Sequence, residues 1–205
     1  MPETTDELLE TLTEQFSELP GLGPKSASRI VGHLLVERRD LAESLVRSLS
    51  SALKCAHQCP KCNTLTTAGE LCPVCSDPAR AADVICVVEQ PADQAAIEAS
   101  VAYRGLYFVL MGRINPIRGV SPADLGIGKL LARIRTEQVR EVVIATSYTA
   151  EGETTAHMIT SVLRRQYPQL RVTRLARGLP VGVELEYTDA PTISAAMADR
   201  ETVKS

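Results

Sequence analysis

This chain of 205 residues has no tryptophan and only seven other aromatics, five Tyr and two Phe. Proteins that hold single strands by stacking bases on exposed rings need more than that, so a stacking platform is excluded. No apolar run is long enough to cross a bilayer. Met1–Glu7 lacks the basic and apolar regions of a secretory leader, so the cytoplasm is the expected compartment. There is no internal repeat and no low-complexity tract. An excess of positive charge is missing as well: the net charge is −3, so attraction to a polyanion has to come from local patches. Disulfide-style cysteine scatter is also absent. Five of the six cysteines crowd between positions 55 and 75, which is a metal-like grouping rather than an extracellular framework.

Charge is divided along the chain. Residues 1–19 carry six acids and no Lys or Arg, whereas residues 20–54 carry six Lys/Arg against three acids. Residues 154–183 hold five arginines and no acid. Leu8, Leu9, Leu12, Phe16 and Leu19 recur at helical spacing, and Thr4 with Glu7 forms a capping-box pattern, so 5–18 is predicted to be an amphipathic helix. Pro20-Gly21-Leu22-Gly23-Pro24 breaks it. A second helix is expected from Pro24 to about Val36, and a third from Asp40 through Leu53. From Asp83 onward, β-branched runs at 84–88, 106–110, 141–145 and 171–175 alternate with helical stretches at 91–99, 126–138 and 151–166. That alternation predicts βαβ units and a mainly parallel sheet in an α/β fold. The tail is expected to be a strand over 183–187 followed by a helix near 190–200.

Gly21 and Gly23 flank one leucine between two helices, which suits a tight hairpin with outward-facing backbone amides. The start of the following helix favours phosphate through its free N–H groups and dipole. Lys25 and Arg29 share one face of that helix. The arrangement is similar to the helix-hairpin-helix motif, which grips the DNA backbone without reading bases. Its plain alternative is an ordinary helix-turn-helix connection.

Cys59-Pro-Lys-Cys62 and Cys72-Pro-Val-Cys75 form two knuckles nine residues apart, the spacing of a four-thiolate zinc site. Such a site has no open position for substrate, so the predicted zinc, one per chain, is structural. Cys55 and His57 break the symmetry and are left outside the ligand set; Cys86, in an apolar run, reads as a core filler.

Glu89 follows the run Val84–Val88, and Thr146-Ser147-Tyr148-Thr149-Ala150-Glu151-Gly152-Glu153 follows the run Glu141–Ala145. This resembles the Toprim pattern of topoisomerases and primases, a strand-end glutamate and then Asp-x-Asp ahead of Glu-Gly-Glu. Ser147 and Thr149 stand where the aspartates belong, and hydroxyls are poor substitutes for carboxylates as Mg²⁺ ligands. Glu89, Glu151 and Glu153 remain, as surface or helix-start groups, with a weak Mg²⁺ site through Glu89 and Glu153 as the alternative. Tyr148 reads as a packing residue, not a nucleophile. Gly126-Ile-Gly-Lys129 lacks the first glycine and the Ser/Thr of a phosphate loop and is rejected as one.

Taken in order, these segments resemble the bacterial RecR family of recombination mediators over nearly the whole chain. The resemblance is carried by Leu19-Pro-Gly-Leu-Gly-Pro-Lys-Ser-Ala27, Cys86-Val-Val-Glu-Gln-Pro-Ala-Asp93, Tyr107–Gly112, Ala145-Thr146 with Glu151-Gly-Glu153, and Gly178-Leu-Pro-Val-Gly182. It implies a helix-hairpin-helix region at 1–54, a zinc finger at 55–78, a Toprim-like domain at 79–178 and an oligomerisation tail at 179–205. It further implies no Toprim catalysis, and binding of gapped, single- and double-stranded DNA through Lys25 and Arg29. The implied partners are RecO and RecF in loading RecA at gaps, with self-assembly into dimers or ring-like tetramers and a place on the nucleoid. Three positions depart from the family pattern: an extra residue near Ala68-Gly69, Arg118 in place of an acid, and Val183 in place of a glycine. Two rivals are a metal-dependent Toprim nuclease or topoisomerase-like enzyme, and a zinc-bearing interaction module that never touches DNA.

Overall fold

A computed structural model describes residues 5–115 and 119–200. The Thr4 half of the predicted capping box and the departure at Arg118 lie outside them. The chain divides into two compact units, up to Ala56 and from His57 onward.

The first unit is helical. Helix α1 (Thr5–Ser17) ends at a turn in which the Leu22 amide donates to the Leu19 carbonyl at 3.1 Å. Pro20 and Gly21 are its central residues, and Gly21 sits at φ 82°, the left-handed value that the third position of a type II turn requires. Helix α2 (Pro24–Gly32) starts on a proline, whose missing N–H costs nothing there. The sequence predicts α-helix to about Val36, but past Gly32 the chain widens into a π turn, His33–Glu37, with the Arg38 amide bonded to the His33 carbonyl at 2.9 Å. Glycine is a weak helix former, and the wider turn sets Leu34 inward while Val36 stays 80% exposed. Helix α3 (Arg39–Cys55) buries none of its residues.

In the second unit, a two-residue antiparallel ladder, β1 (His57–Gln58) with β2 (Leu65–Thr66), leads to a single turn of helix, α4 (Pro73–Ser76). The main sheet follows: β3 (Ala81–Val88), β4 (Gly105–Val109), β5 (Glu141–Ala145) and β6 (Arg171–Arg174), all parallel, in the order β4-β3-β5-β6. Helix α5 (Pro91–Ala99) links β3 to β4, α6 (Ile127–Thr136) links β4 to β5, and α7 (Ala150–Gln166) links β5 to β6. Because side chains alternate across a strand, Ile85, Val87, Phe108, Val142 and Ile144 meet Leu130, Ile134, Ile159 and Leu163 on one face. On the other face Cys86, Val88, Tyr107, Val109 and Ala145 meet Val74 and Ile97. Both faces are covered, as parallel sheets require. Burial pushes the Cys86 thiol up to about 12, so it is an inert core filler as expected.

The tail departs from expectation. Residues 183–187 form no strand: Leu185–Tyr187 is a 3₁₀ turn, followed by α8 (Ala190–Ala198), which Asp189 caps through the Thr192 amide at 2.9 Å. A strand needs a neighbour for its backbone groups, and among the described residues none pairs with this segment. The preceding turn places Gly182 at φ 83°, so the left-handed position is glycine and the valine at 183 carries no strain there.

Candidate functional site

At the hairpin, Gly23 precedes α2 in an extended conformation (φ −91°, ψ 168°) and no side chain caps the helix, which leaves the amides of its first turn open. Only Gly21 of the two glycines uses left-handed freedom. Lys25 and Arg29 are exposed, one turn apart, and neither forms an ion pair among the described residues. An uncapped helix start beside two exposed cations is a region of positive potential, where negative charge is favoured.

The cysteine knuckles close on each other. The sulfurs of Cys59, Cys62, Cys72 and Cys75 all lie within 4.8 Å of one another, and the first three residues are buried. A tetrahedron of thiolates about 2.3 Å from zinc has sulfur–sulfur edges of about 3.8 Å, so the donor set and its spacing fit that ion. Backbone amides point at the sulfurs: Cys72 N–H at Cys59 Sγ (3.5 Å) and Cys75 N–H at Cys72 Sγ (3.4 Å). Burial opposes ionisation of Cys59, yet the amides of Cys72, Cys62 and Lys61 outweigh it and bring its thiol down to about 6. The Cys62 thiol is pushed up by its hydrogen bond with Cys75 and by burial, and burial takes Cys72 up to about 11. Cys55 and His57 stand outside the cluster, as expected.

The zinc segment is fastened to the sheet at its β4 edge. The Val109 amide donates to the Cys62 carbonyl at 2.7 Å, and Asn63 Nδ2 donates to the Val109 carbonyl at 3.1 Å. Arg133, almost fully buried, donates one nitrogen to the carbonyls of Lys61 (3.1 Å) and Tyr107 (2.8 Å). Lys129 of the rejected phosphate loop donates to Asn63 Oδ1, so that lysine is a structural tie. Asn63 and Arg133 belong to no motif, and no spacing in the sequence marks them or the tie to Lys129.

Glu89 leaves β3 at the point where the strand order reverses, the usual crevice of an open α/β sheet. Its carboxylate is buried, and Oε1 accepts from both the amide and the hydroxyl of Ser147 at 3.0 Å. The Ser147 hydroxyl lies 2.9 Å from that of Thr149, which in turn caps α7 by accepting from the Gly152 amide at 3.2 Å. Glu89, Ser147 and Thr149 thus form one hydrogen-bonded chain. Glu151 lies in the first turn of α7, where negative charge is favourable. Glu153 is drawn instead to Arg174 (two contacts of 3.0 Å) and Arg177 (3.4 Å); these guanidinium groups hold its carboxyl below the usual range. The same two arginines lie 4.6 and 4.4 Å from the Tyr148 ring centre, and the Tyr148 hydroxyl donates to the Leu175 carbonyl at 2.5 Å. Tyr148 is exposed and in no core cluster, so its contacts are with these arginines and the Leu175 carbonyl rather than the packing role expected of it. Three arginines that the motif does not contain, Arg113, Arg174 and Arg177, face its acids; the acid-free stretch 154–183 was the signal for the last two.

Four family models match consecutive stretches of the chain. They are the RecR helix-hairpin-helix over residues 9–53, the RecR four-cysteine zinc finger domain over 56–77, a Toprim domain over 83–176, and the RecR C-terminal region over 178–201. With three RecR-specific regions in order around a Toprim domain, and with the hairpin, four-sulfur cluster and parallel sheet at the matching positions, the chain belongs to the RecR family.

Proposed function

We propose that this protein is a non-catalytic, DNA-binding recombination mediator in DNA repair that acts in the cytoplasm, on the nucleoid. With RecO and RecF it loads RecA onto single-stranded DNA at gaps. The observation that carries this is the hairpin: an uncapped helix start with Lys25 and Arg29 exposed and in no ion pair among the described residues, Gly21 shaping the turn and Gly23 leaving its amides open. Phosphate contacts of this kind position a protein on DNA without reading sequence. Cys59, Cys62, Cys72 and Cys75 hold one structural zinc per chain. Self-assembly into a dimer or ring multiplies an otherwise weak pair of cations by avidity. An open apolar groove of about 710 Å³ in the first unit, walled by Leu12, Phe16, Leu19, Leu34, Leu45 and Leu49, supports that assembly, since monomers rarely leave such a surface bare. No helix among the described residues is long and apolar enough to cross a membrane.

Fluorescence anisotropy on gapped, single-stranded and duplex DNA at several salt concentrations tests the hairpin. Lys25→Ala and Arg29→Ala should each weaken binding equally for all sequences and lower the log–log salt slope by about one. A double variant that binds gapped DNA like wild type sinks the assignment. Attention would then pass to Arg164 and Arg165, exposed in the last turn of α7, because Arg171, Arg174 and Arg177 are engaged by Glu141 and Glu153.

The rival Toprim enzyme needs a metal held by carboxylates, and hydroxyls stand at 147 and 149. Supercoiled plasmid incubated with the protein and Mg²⁺ or Mn²⁺ should therefore stay uncut and unrelaxed. Nicking that vanishes in Glu89→Ala would establish the rival.

A further inference from the structure

We infer that Arg113 is the built-in cation of the Toprim-like centre: its guanidinium occupies, against Glu89, the position where this pattern otherwise calls for a divalent metal ion, and excludes that ion. Arg113 reaches both sides of the pattern at once. One terminal nitrogen lies 3.7 Å from Glu89 Oε2 and donates to Thr149 Oγ1 at 3.4 Å. Glu89 offers its other oxygen to Ser147, and Ser147 is bonded to Thr149, so the oxygens that would ring a metal form a chain that closes on one guanidinium.

The arginine is held there by its neighbours. Met111 takes the left-handed conformation (φ 59°), unusual for a side chain of its type, and turns the chain just after β4. The Gly112 amide donates to the Glu89 carbonyl at 2.9 Å. On the other side the Ile114 amide donates to Thr155 Oγ1 of α7 at 2.9 Å. Arg113 is thus clamped between the strand end that carries Glu89 and the helix that carries the Glu-Gly-Glu acids. Charge agrees with this. Of the carboxylates of the pattern, Glu89 faces Arg113, Glu153 faces both Arg174 and Arg177, and Glu151 lies in the first turn of α7. Loss of the aspartates and gain of the arginine then work together: hydroxyls at 147 and 149 remove two negative charges, and one positive charge neutralises Glu89.

The inference rests on the non-catalytic reading, and a titration of the zinc-loaded full chain with Mn²⁺, followed by the electron paramagnetic resonance of free ion, separates the two. Wild type should bind Mn²⁺ weakly. Arg113→Gln should bind one ion about tenfold or more tightly, because a unit positive charge some 4 Å from a dication opposes it by at least that factor even in a watery dielectric. Arg113→Lys keeps the charge and should still exclude the ion. Adding Glu89→Gln to Arg113→Gln should abolish the gain. If Arg113→Gln and wild type bind alike, or Arg113→Lys binds as well as Arg113→Gln, the inference falls. A wild type that binds one ion tightly and also nicks DNA overturns the non-catalytic reading too; one that is inert but insensitive to Arg113 overturns this inference alone.

Discussion

Cys72→Ser should emerge from purification without zinc and with the sheet unit melting at least about 10 °C below wild type. Cys72 joins the two knuckles: its amide donates to Cys59 Sγ, its sulfur lies 3.5 Å from that of Cys62, and it accepts from the Cys75 amide at the start of α4. The segment around it has almost no other core. The buried cysteines are backed only by Leu71, Val74 and Cys75, and the ladder beside them is two residues long. Thiolates packed this closely repel one another unless a cation sits among them, so in such a segment metal-binding free energy is folding free energy. The damage should spread. Cys62 and Asn63 cover the β4 edge through Val109, and Arg133 anchors the same region to Lys61 and Tyr107. An uncovered edge strand invites pairing with another chain. A loss of a few kcal/mol moves the midpoint of a domain of this size by about 2–4 °C for each kcal/mol, and aggregation should accompany it. Metal analysis by mass spectrometry together with calorimetry and sedimentation decides the matter. A Cys72→Ser protein with full zinc content and an unchanged midpoint would show that the cluster does not hold the metal.

Features with a short sequence period or a fixed spacing could be read from the chain alone. The strand runs and connecting helices of the sheet unit follow from alternation and β-branching, and the sulfur cluster from two Cys-x-x-Cys pairs. The π turn at His33–Glu37 could not be read, because over five residues no residue type or spacing separates i→i+5 bonding from an ordinary α-helical turn. The tail shows the opposite failure: Val183-Glu-Leu-Glu-Tyr187 alternates like a strand, yet pairing is a property of neighbours and not of the segment. The motif around Glu89 was legible, but what neutralises it was not. Arg113 lies 24 residues past Glu89 and 36 before Thr149, and no local rule connects them. The fastening of the zinc segment was hidden for the same reason: Asn63 and Lys129 are 66 residues apart.

Gly152 in Glu151-Gly-Glu153 is the place where the motif and the packing meet, and Gly152→Ala should destabilise the sheet unit by about 2–4 kcal/mol. Its backbone is helical, with no positive φ, so conformational freedom is not the reason for glycine here. The reason is close approach. A Cβ at this position would lie 2.2 Å from the Ser147 carbonyl oxygen, 2.4 Å from its hydroxyl and 2.8 Å from its carbonyl carbon. Two of those three atoms are backbone and cannot swing aside. The loop they belong to is held from both directions, by the Ser147 amide on Glu89 and by Thr146 Oγ1 on the Gly152 carbonyl at 3.2 Å. Alanine must therefore push the start of α7 away from the end of β5, which breaks the Thr149 cap and the Ser147–Glu89 contacts together. Alanine's better helix propensity returns only about 0.5–1 kcal/mol. Gly128→Ala supplies the matched control: it lies in α6, exposed, with open space where its Cβ would be, and should stabilise by about that same increment. Thermal unfolding of the two variants beside wild type should move in opposite directions, Gly152→Ala down by about 5–15 °C and Gly128→Ala up by a degree or more. A Gly152→Ala protein that melts with wild type would mean that the loop after β5 does not sit against α7, and the chain of contacts from Glu89 to Thr149 would have to be given up with it.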